Sequence, residues 1–274
     1  MTLRGHGGEA RRLFTALVLA GSRGSADPVA SAAGLPHKAL VPVGGRPMLL
    51  RVVDTLRQCP EVGRIVLCLE DLALPQREPE LAFLLSEGKL SVIPAAHSPA
   101  ASVLGALETL PDALPLLVAT ADHPLLTPDM IRHFLSSLGE ADAAAAVASE
   151  SVIAAAYPET RRTYIRLRDG AYSGCNLFAF TAADAAAAAR FWTKVERYRK
   201  QPWRLFAAAG PRALLSFLFG RLDLAAATER LSTVLGLRLR VVTMPFAEAA
   251  IDVDKPSDIA LVEKIFAARG QRCS

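Results

Sequence analysis

Short apolar runs alternate along the first half of the chain with longer stretches that carry apolar residues at helical spacing. Runs near 14–20, at 65–69, near 90–93 and at 116–120 predict strands, each short enough to be buried within a sheet. Helices are expected between them near 47–58, 77–87 and 101–110. A fourth opens at Thr127-Pro128-Asp129, where a Thr cap, a proline at the first helical position and an acid in the first turn coincide. Strands alternating with helices imply a parallel sheet covered by helices.

The second half is less regular. Residues 141–156 include Ala143-Ala144-Ala145-Ala146-Val147-Ala148, and alanine favours helix by propensity. The run is short, however, and polar hairpin-like sequence follows it over 160–172, so a buried strand is expected here. From 182 to about 235 the pattern is almost wholly helical; 237–242 supplies a last alternating strand, and a terminal helix over 256–268 opens with Pro-Ser-Asp. The expected class is α/β: a three-layer α/β/α sandwich around a mostly parallel, mixed central sheet, Rossmann-like, with a helical insertion near 182–235. No repeat or linker divides the chain, and residues 1–274 are expected to form a single domain.

Composition narrows the class. A chain of 274 residues that is 51% hydrophobic has ample material for a core. Its formal charge of +4 is modest and its basic residues are dispersed, which argues against general nucleic-acid binding and for small anionic ligands. Four scattered cysteines without a CxxC pair argue against a zinc site or a disulfide framework and for a reducing compartment, most simply the cytoplasm. Arg4, Arg11 and Arg12 precede the first apolar run, but that run is short and continues into a glycine turn, so it fits a buried strand and not a signal peptide. No apolar stretch is long enough to span a bilayer.

The chemistry concentrates at strand ends. Leu19-Ala20-Gly21-Ser22-Arg23-Gly24 follows the first strand directly, and glycines there let backbone N–H groups approach a phosphate while Arg23 adds a bidentate cation. Thr120-Ala121-Asp122-His123-Pro124 follows another, which places Asp122 at the carboxyl end of the sheet, where open α/β folds bind ligands. A carboxylate there suits Mg2+, which takes one or two protein carboxylates together with phosphates and water; His123 fits a turn residue better than a ligand. Alternation puts Asp252 and Asp254 on one side of an extended segment, from which they are expected to meet Asp122 across the metal.

Taken with His37-Lys38-Ala39-Leu40 and Gly45-Arg46-Pro47, the glycine turn resembles the signature of the MobA-like nucleotidyltransferases, and the likeness extends from Leu17 to Ile265 as four segments in order. The resemblance implies a nucleotide-binding half near 12–135, in which Leu19, Ala20, Gly21, Ser22, Arg23, Gly24, Lys38, Ser102 and Asp122 meet the NTP, and an acceptor-binding half near 136–274. Lys38, in a Lys-x-Leu context, would meet the phosphates, and Arg23, Lys38 and Asp122 would carry catalysis. The chain departs from the family at the first turn, where Ser22 and Arg23 stand in place of a second glycine.

Residues 250–259 are similar to the family's closing motif, with Asp254 as a second Mg2+ ligand, Asp252 in support and Asp258 partnering the helix dipole. Residues 97–107 resemble the segment beside the nucleobase, where Ser102 either bonds base or ribose or simply opens a helix. Residues 172–180 occupy the place of the acceptor-side strand, with Gly174 permitting close approach and Asn176 binding hydroxyls. Arg161 and Arg162 either pair with an acceptor phosphate or form a solvated hairpin face.

The implied activity is Mg2+-dependent transfer of a nucleoside monophosphate, with CMP favoured over GMP or AMP. The acceptor is a phosphorylated polyol, sugar or lipid-headgroup precursor, and pyrophosphate is released. Alternatives are a nucleotide-sugar glycosyltransferase, although Asp122-His123-Pro124 lacks its DxD motif, and a non-catalytic nucleotide-binding module. A dinucleotide oxidoreductase lacks its full GxGxxG. The stretch 190–221 interleaves basic residues with tryptophans; it suits either an anionic-lipid surface or a cover over the acceptor pocket or a homodimer contact.

Overall fold

The first strand, β1 (Phe14–Leu19), sends Ala16 and Val18 into one apolar core and Leu17 and Leu19 into another. A strand buried on both faces is what its uninterrupted apolar run encodes. The computed structural model describes residues 13–21, 27–110, 112–198, 201–208 and 210–272. After β1 come α1 (Pro28–Ala32), the short pair β2 (Pro42–Val43) and β3 (Arg46–Pro47), α2 (Met48–Arg57), β4 (Val62–Leu69), α3 (Pro79–Ser86), β5 (Leu90–Pro94), α4 (Pro99–Thr109), β6 (Leu116–Thr120) and α5 (Pro128–Ser136). The second half holds β7 (Ala143–Ser149), α6 (Glu150–Ala156), β8 (Ile165–Leu167), β9 (Gly170–Phe180), α7 (Ala186–Val195), α8 (Pro202–Ala208), α9 (Pro211–Leu218), α10 (Leu224–Leu235), β10 (Leu239–Thr243) and α11 (Pro256–Arg272).

Eight strands form the central sheet in the order β10-β7-β9-β6-β1-β4-β5, with β8 paired to β9. Pairings along it are parallel except those of β9, which runs antiparallel to β6, β7 and β8. On one face Leu49, Val53 and Leu56 of α2, Leu81 of α3 and Phe134 of α5 bury against the sheet; on the other Val103 of α4 and Ala189 and Trp192 of α7 do so. This is the three-layer mixed α/β sandwich that the alternation implies.

Connectivity runs from β1 outward through β4 to β5 and then crosses back to β6 on the opposite side of β1. A crevice at the carboxyl ends of β1 and β6 therefore lies at a topological switch point, the place where open sheets of this kind bind ligands.

One expected element differs. The strand proposed over 141–156 ends at Ser149, whose hydroxyl accepts from Val152 N and caps α6, with Glu150 in the first turn. Once the pairing with β9 stops at Ser149↔Tyr172, cap chemistry and alanine propensity prevail.

Candidate active site

β1 and β6 end in register, Leu19 beside Thr120, and Ala121 N donates to Leu19 O at 2.9 Å. That bond brings the glycine turn against the turn carrying Asp122. Leu19, Ala20 and Gly21 line a small crevice opposite Lys38, Ala39, Ala121 and Asp122. A Cβ on Gly21 would lie 3.2 Å from the Glu70 carboxylate, a tight contact to which this flexible side chain would have to yield a few tenths of an ångström. Ser22, Arg23 and Gly24 lie outside the described residues.

Lys38 reaches the crevice from a single 3-10 turn, Lys38–Leu40, which His37 caps by accepting from Ala39 N on Nδ1 at 3.1 Å. The lysine is only 8% exposed. Its Nζ donates to Asp122 Oδ2 at 2.7 Å and to Asp254 Oδ1 at 3.4 Å. Burial pulls its pKa down, but the charge of Asp122, their hydrogen bond and the charge of Asp254 outweigh this and the net shift is upward. Lys38 is accordingly a charged ammonium at neutral pH.

Asp122 and the segment around Asp254 are tied through the backbone, where Val253 N donates to Asp122 O at 2.9 Å. Asp258 closes the same loop by accepting from Asp254 N and Lys255 N, each at 3.0 Å, at the mouth of α11. This is the N-terminal anchoring that an acid in the first helical turn supplies.

Asp252 diverges from Asp254. Its Oδ1 meets Arg162 Nη1 at 2.7 Å and its Oδ2 accepts from Asn176 Nδ2 at 2.8 Å. Burial holds its pKa above the usual carboxylate range, against the opposing pull of Arg162 and with a further push from Asp254 and Asp122. Two residues expected at the acceptor, Arg162 and Asn176, thus converge on a residue expected at the metal. Asn176 does so from a left-handed backbone, φ +50°, in the middle of β9, a conformation asparagine tolerates better than most residues. Gly174, two residues earlier, has open space where a Cβ would stand. Arg161 is exposed, and only Arg162 of the pair reaches Asp252.

Ser102 is buried, and its hydroxyl accepts from Ala96 N at 2.9 Å and donates to Ser98 O at 3.0 Å. In this arrangement it braces the loop into α4. His123 is buried, with Nε2 3.1 Å from Glu248 O; desolvation lowers its pKa to about 4, so it is a neutral donor to that carbonyl.

Sequence reasoning had no role for His37, which orients Lys38, nor for Arg162 as the partner of Asp252. The adjacency of His37 to Lys38 was the one available signal for the former; the latter pairing spans ninety residues and had none.

Among the described residues, five buried side-chain polar atoms lack a hydrogen-bond partner, and four belong to His37, Thr120, Asp122 and Arg162. Buried polar atoms are normally paired; His37 Nε2 has the Glu70 carboxylate 3.8 Å away, and Asp122 lines the crevice after β1. Among the described residues no three His, Cys, Asp or Glu side chains are arranged to hold a metal ion. Asp252 is engaged by Arg162 and Asn176, which leaves Asp122 and Asp254 as the facing pair with Lys38 between them. The free Oδ1 of Asp122 and the exposed carboxylate of Asp254 fit a hard cation that takes one or two carboxylates.

A solved structure of a hypothetical transferase from Thermus thermophilus is 31% identical to this chain, with a TM-score of 0.73, over 90% of this chain and 99% of that one. The 4-diphosphocytidyl-2C-methyl-D-erythritol synthase of Anaerococcus prevotii shares the fold at 15% identity and a TM-score of 0.54, over 93% and 96% of the two chains. A CMP:2-keto-3-deoxy-manno-octonic acid synthetase solved with CTP does so at 14% and 0.51, over 94% and 98%. No curated protein sequence matches the chain.

The family match defines a nucleotidyltransferase. The chain belongs to the family of the MobA-like NTP transferase domain, whose model matches residues 16–159, just over half of its length.

Proposed function

We propose that this enzyme transfers a nucleoside monophosphate, CMP in preference to GMP or AMP, from an NTP to a small phosphorylated acceptor and releases pyrophosphate in a Mg2+-dependent reaction. The observation that carries the proposal is the buried Lys38 ammonium held between Asp122 and Asp254 at the β1/β6 switch point. The preference for CTP draws support from the cytidylyl products and ligand named in the structural relatives. The acceptor would be a phosphorylated polyol, sugar or lipid-headgroup precursor.

In the proposed reaction an oxygen of the acceptor phosphate attacks the α-phosphorus, the bond from that phosphorus to the bridging oxygen breaks, and pyrophosphate leaves with the electron pair. A phosphate dianion is already a nucleophile, so no side chain has to remove a proton. Catalysis then consists of alignment and charge neutralisation. Lys38 supplies a fixed positive charge, oriented by its two carboxylates before substrate arrives. Backbone N–H groups after β1, with Arg23, receive the phosphates, and Arg162 and Asn176 position the acceptor side through Asp252. Mg2+, held by Asp122 and Asp254, would neutralise charge on the phosphate oxygens.

The test is pyrophosphate release from each of the four NTPs, with Mg2+ and a panel of phosphorylated polyols, sugars and acids. Release restricted to CTP and one acceptor class is the expected result. Release from another NTP would overturn the CMP preference, and hydrolysis of a nucleotide-sugar with silence toward every NTP would overturn the reaction itself.

A further inference from the structure

Half of the exposed large apolar residues among the described residues lie within one short stretch: Trp203 (46%), Leu215 (52%), Leu218 (62%) and Phe219 (70%). They belong to α8 and α9 and the turn after α9. The inner side of α9 is occupied: Ala213 is buried, Phe217 stacks on Phe206 at 4.4 Å between ring centroids, and Arg230 of α10 donates to Arg212 O and Ser216 Oγ. Leu215, Leu218 and Phe219 lie on the other side, at the i, i+3, i+4 spacing that places residues on one stripe. A helix apolar on both sides implies cover on both, and among the described residues only one side has it.

The charge carried by the same stretch of sequence points to what the cover is. Residues 190–221 contain eight lysines and arginines against one acid, Glu196, a net charge of +7 in a chain whose total is +4, so the remainder carries −3. Glu196 is turned inward and accepts from Ala100 N at the start of α4. Arg197 and Arg204 lie over the Tyr198 ring at 4.9 and 5.0 Å, and Arg204 also over Trp203. Guanidiniums stacked on aromatic faces keep their edge N–H groups for phosphate oxygens. Apolar side chains within a cationic surround match an anionic lipid interface, with acyl chains for the former and headgroup phosphates for the latter.

We propose that α8 and α9 form a peripheral docking surface for an anionic phospholipid bilayer, with Trp203, Leu215, Leu218 and Phe219 entering the interface and Arg204, Arg212 and Arg221 at the headgroups. The enzyme sits on the membrane through this face and does not cross it; no helix among the described residues is long and apolar enough to span.

Cosedimentation of the full chain with phosphatidylcholine vesicles, with and without about one quarter phosphatidylglycerol, tests this directly. Binding is expected only with the anionic lipid, and it should fall when salt rises from about 0.1 M to 1 M and the screening length shrinks from about 10 Å to 3 Å. Bromine-labelled lipid should quench Trp203 and spare Trp192, which packs on Phe178; Trp203→Phe then removes the quenching. The double variants L218D/F219D and R204E/R212E should each weaken binding at least about tenfold with unchanged circular dichroism and melting. Equal binding to neutral and anionic vesicles, or none to either, overturns the proposal. So does a concentration-dependent dimer that L218D/F219D dissociates in the absence of vesicle binding, because a second copy of the chain would then be the cover.

Discussion

The Val253 amide donates to the Asp122 carbonyl at 2.9 Å, and this single backbone bond joins the loop after the sixth strand to the loop before the last helix. The side chains on either side of Val253 face different partners: Asp254 turns toward Lys38 and Asp252 toward Arg162. One peptide segment thereby joins the Lys38–Asp122 crevice to the Arg162–Asn176 cluster.

Asp122→Ala removes the shorter of the two bonds to Lys38 together with the carboxylate proposed to hold Mg2+. Pyrophosphate release should fall by at least about a hundredfold, the range of losing one preorganised electrostatic partner. Lys38 keeps Asp254, so the far-ultraviolet circular dichroism should not change. Wild-type turnover in this variant would exclude Asp122 from the reaction.

Arg162→Ala leaves the buried Asp252 with Asn176 alone. Removing one member of this pair, whose side chains are 12% and 20% exposed, should cost about 3 kcal/mol in urea unfolding, the low end for a buried pair. Arg162→Lys should recover only part of this, because the guanidinium also bonds Asp252 O through Nη2. Asp252 is already raised above the usual carboxylate range by burial, so the folded state holds its proton longer than the unfolded chain does. Its contribution therefore weakens as pH rises through the acid range, and the loss should steepen in Arg162→Ala.

His123 makes the opposite pH prediction. Its folded pKa of about 4 lies below the ordinary 6.5, so between these values the unfolded chain binds the extra proton. Stability should decline as pH falls from about 6.5 to 4, by about 3 kcal/mol from this residue. His123→Gln, which retains a donor for Glu248 O, should flatten that part of the profile when unfolding free energy is followed against pH.

The hairpin between the second and third strands turns on Gly44 and Gly45, at φ +56° and +76°, as a two-residue turn of this class requires. A Cβ on Gly44 would lie 2.8 Å from Arg51 Nη2, whereas one on Gly45 meets nothing. Gly45→Ala should cost about 1 kcal/mol from backbone strain alone and Gly44→Ala more. A double-mutant cycle with Arg51→Ala should show coupling at Gly44 and none at Gly45.

Much of the fold was legible because local chemistry and burial agree along the chain. The uninterrupted apolar run of β1 encodes a strand covered on both faces, and Thr127-Pro128-Asp129 opens a helix, with the Thr127 hydroxyl accepting from Met130 N. The stretch after Ser149 was misjudged because alanines suit either state; what ends the strand is the end of its pairing with β9 at Ser149↔Tyr172, which no local pattern records.

The candidate site divides the same way. Position directly after a strand drew attention to Gly21 and Asp122, whereas Lys38 and Asp254 were singled out by the resemblance to the MobA-like family. That Lys38 lies between two acids, that Asp252 belongs to Arg162 and Asn176, and that Ser102 braces its own loop follow from contacts across large sequence separations. The sequence by itself determined which groups are available and the local structure that carries each. Only the tertiary structure decided which of them share a hydrogen bond, because pairing depends on distances of a few ångströms that the register of the sheet and the crossing from β5 to β6 set.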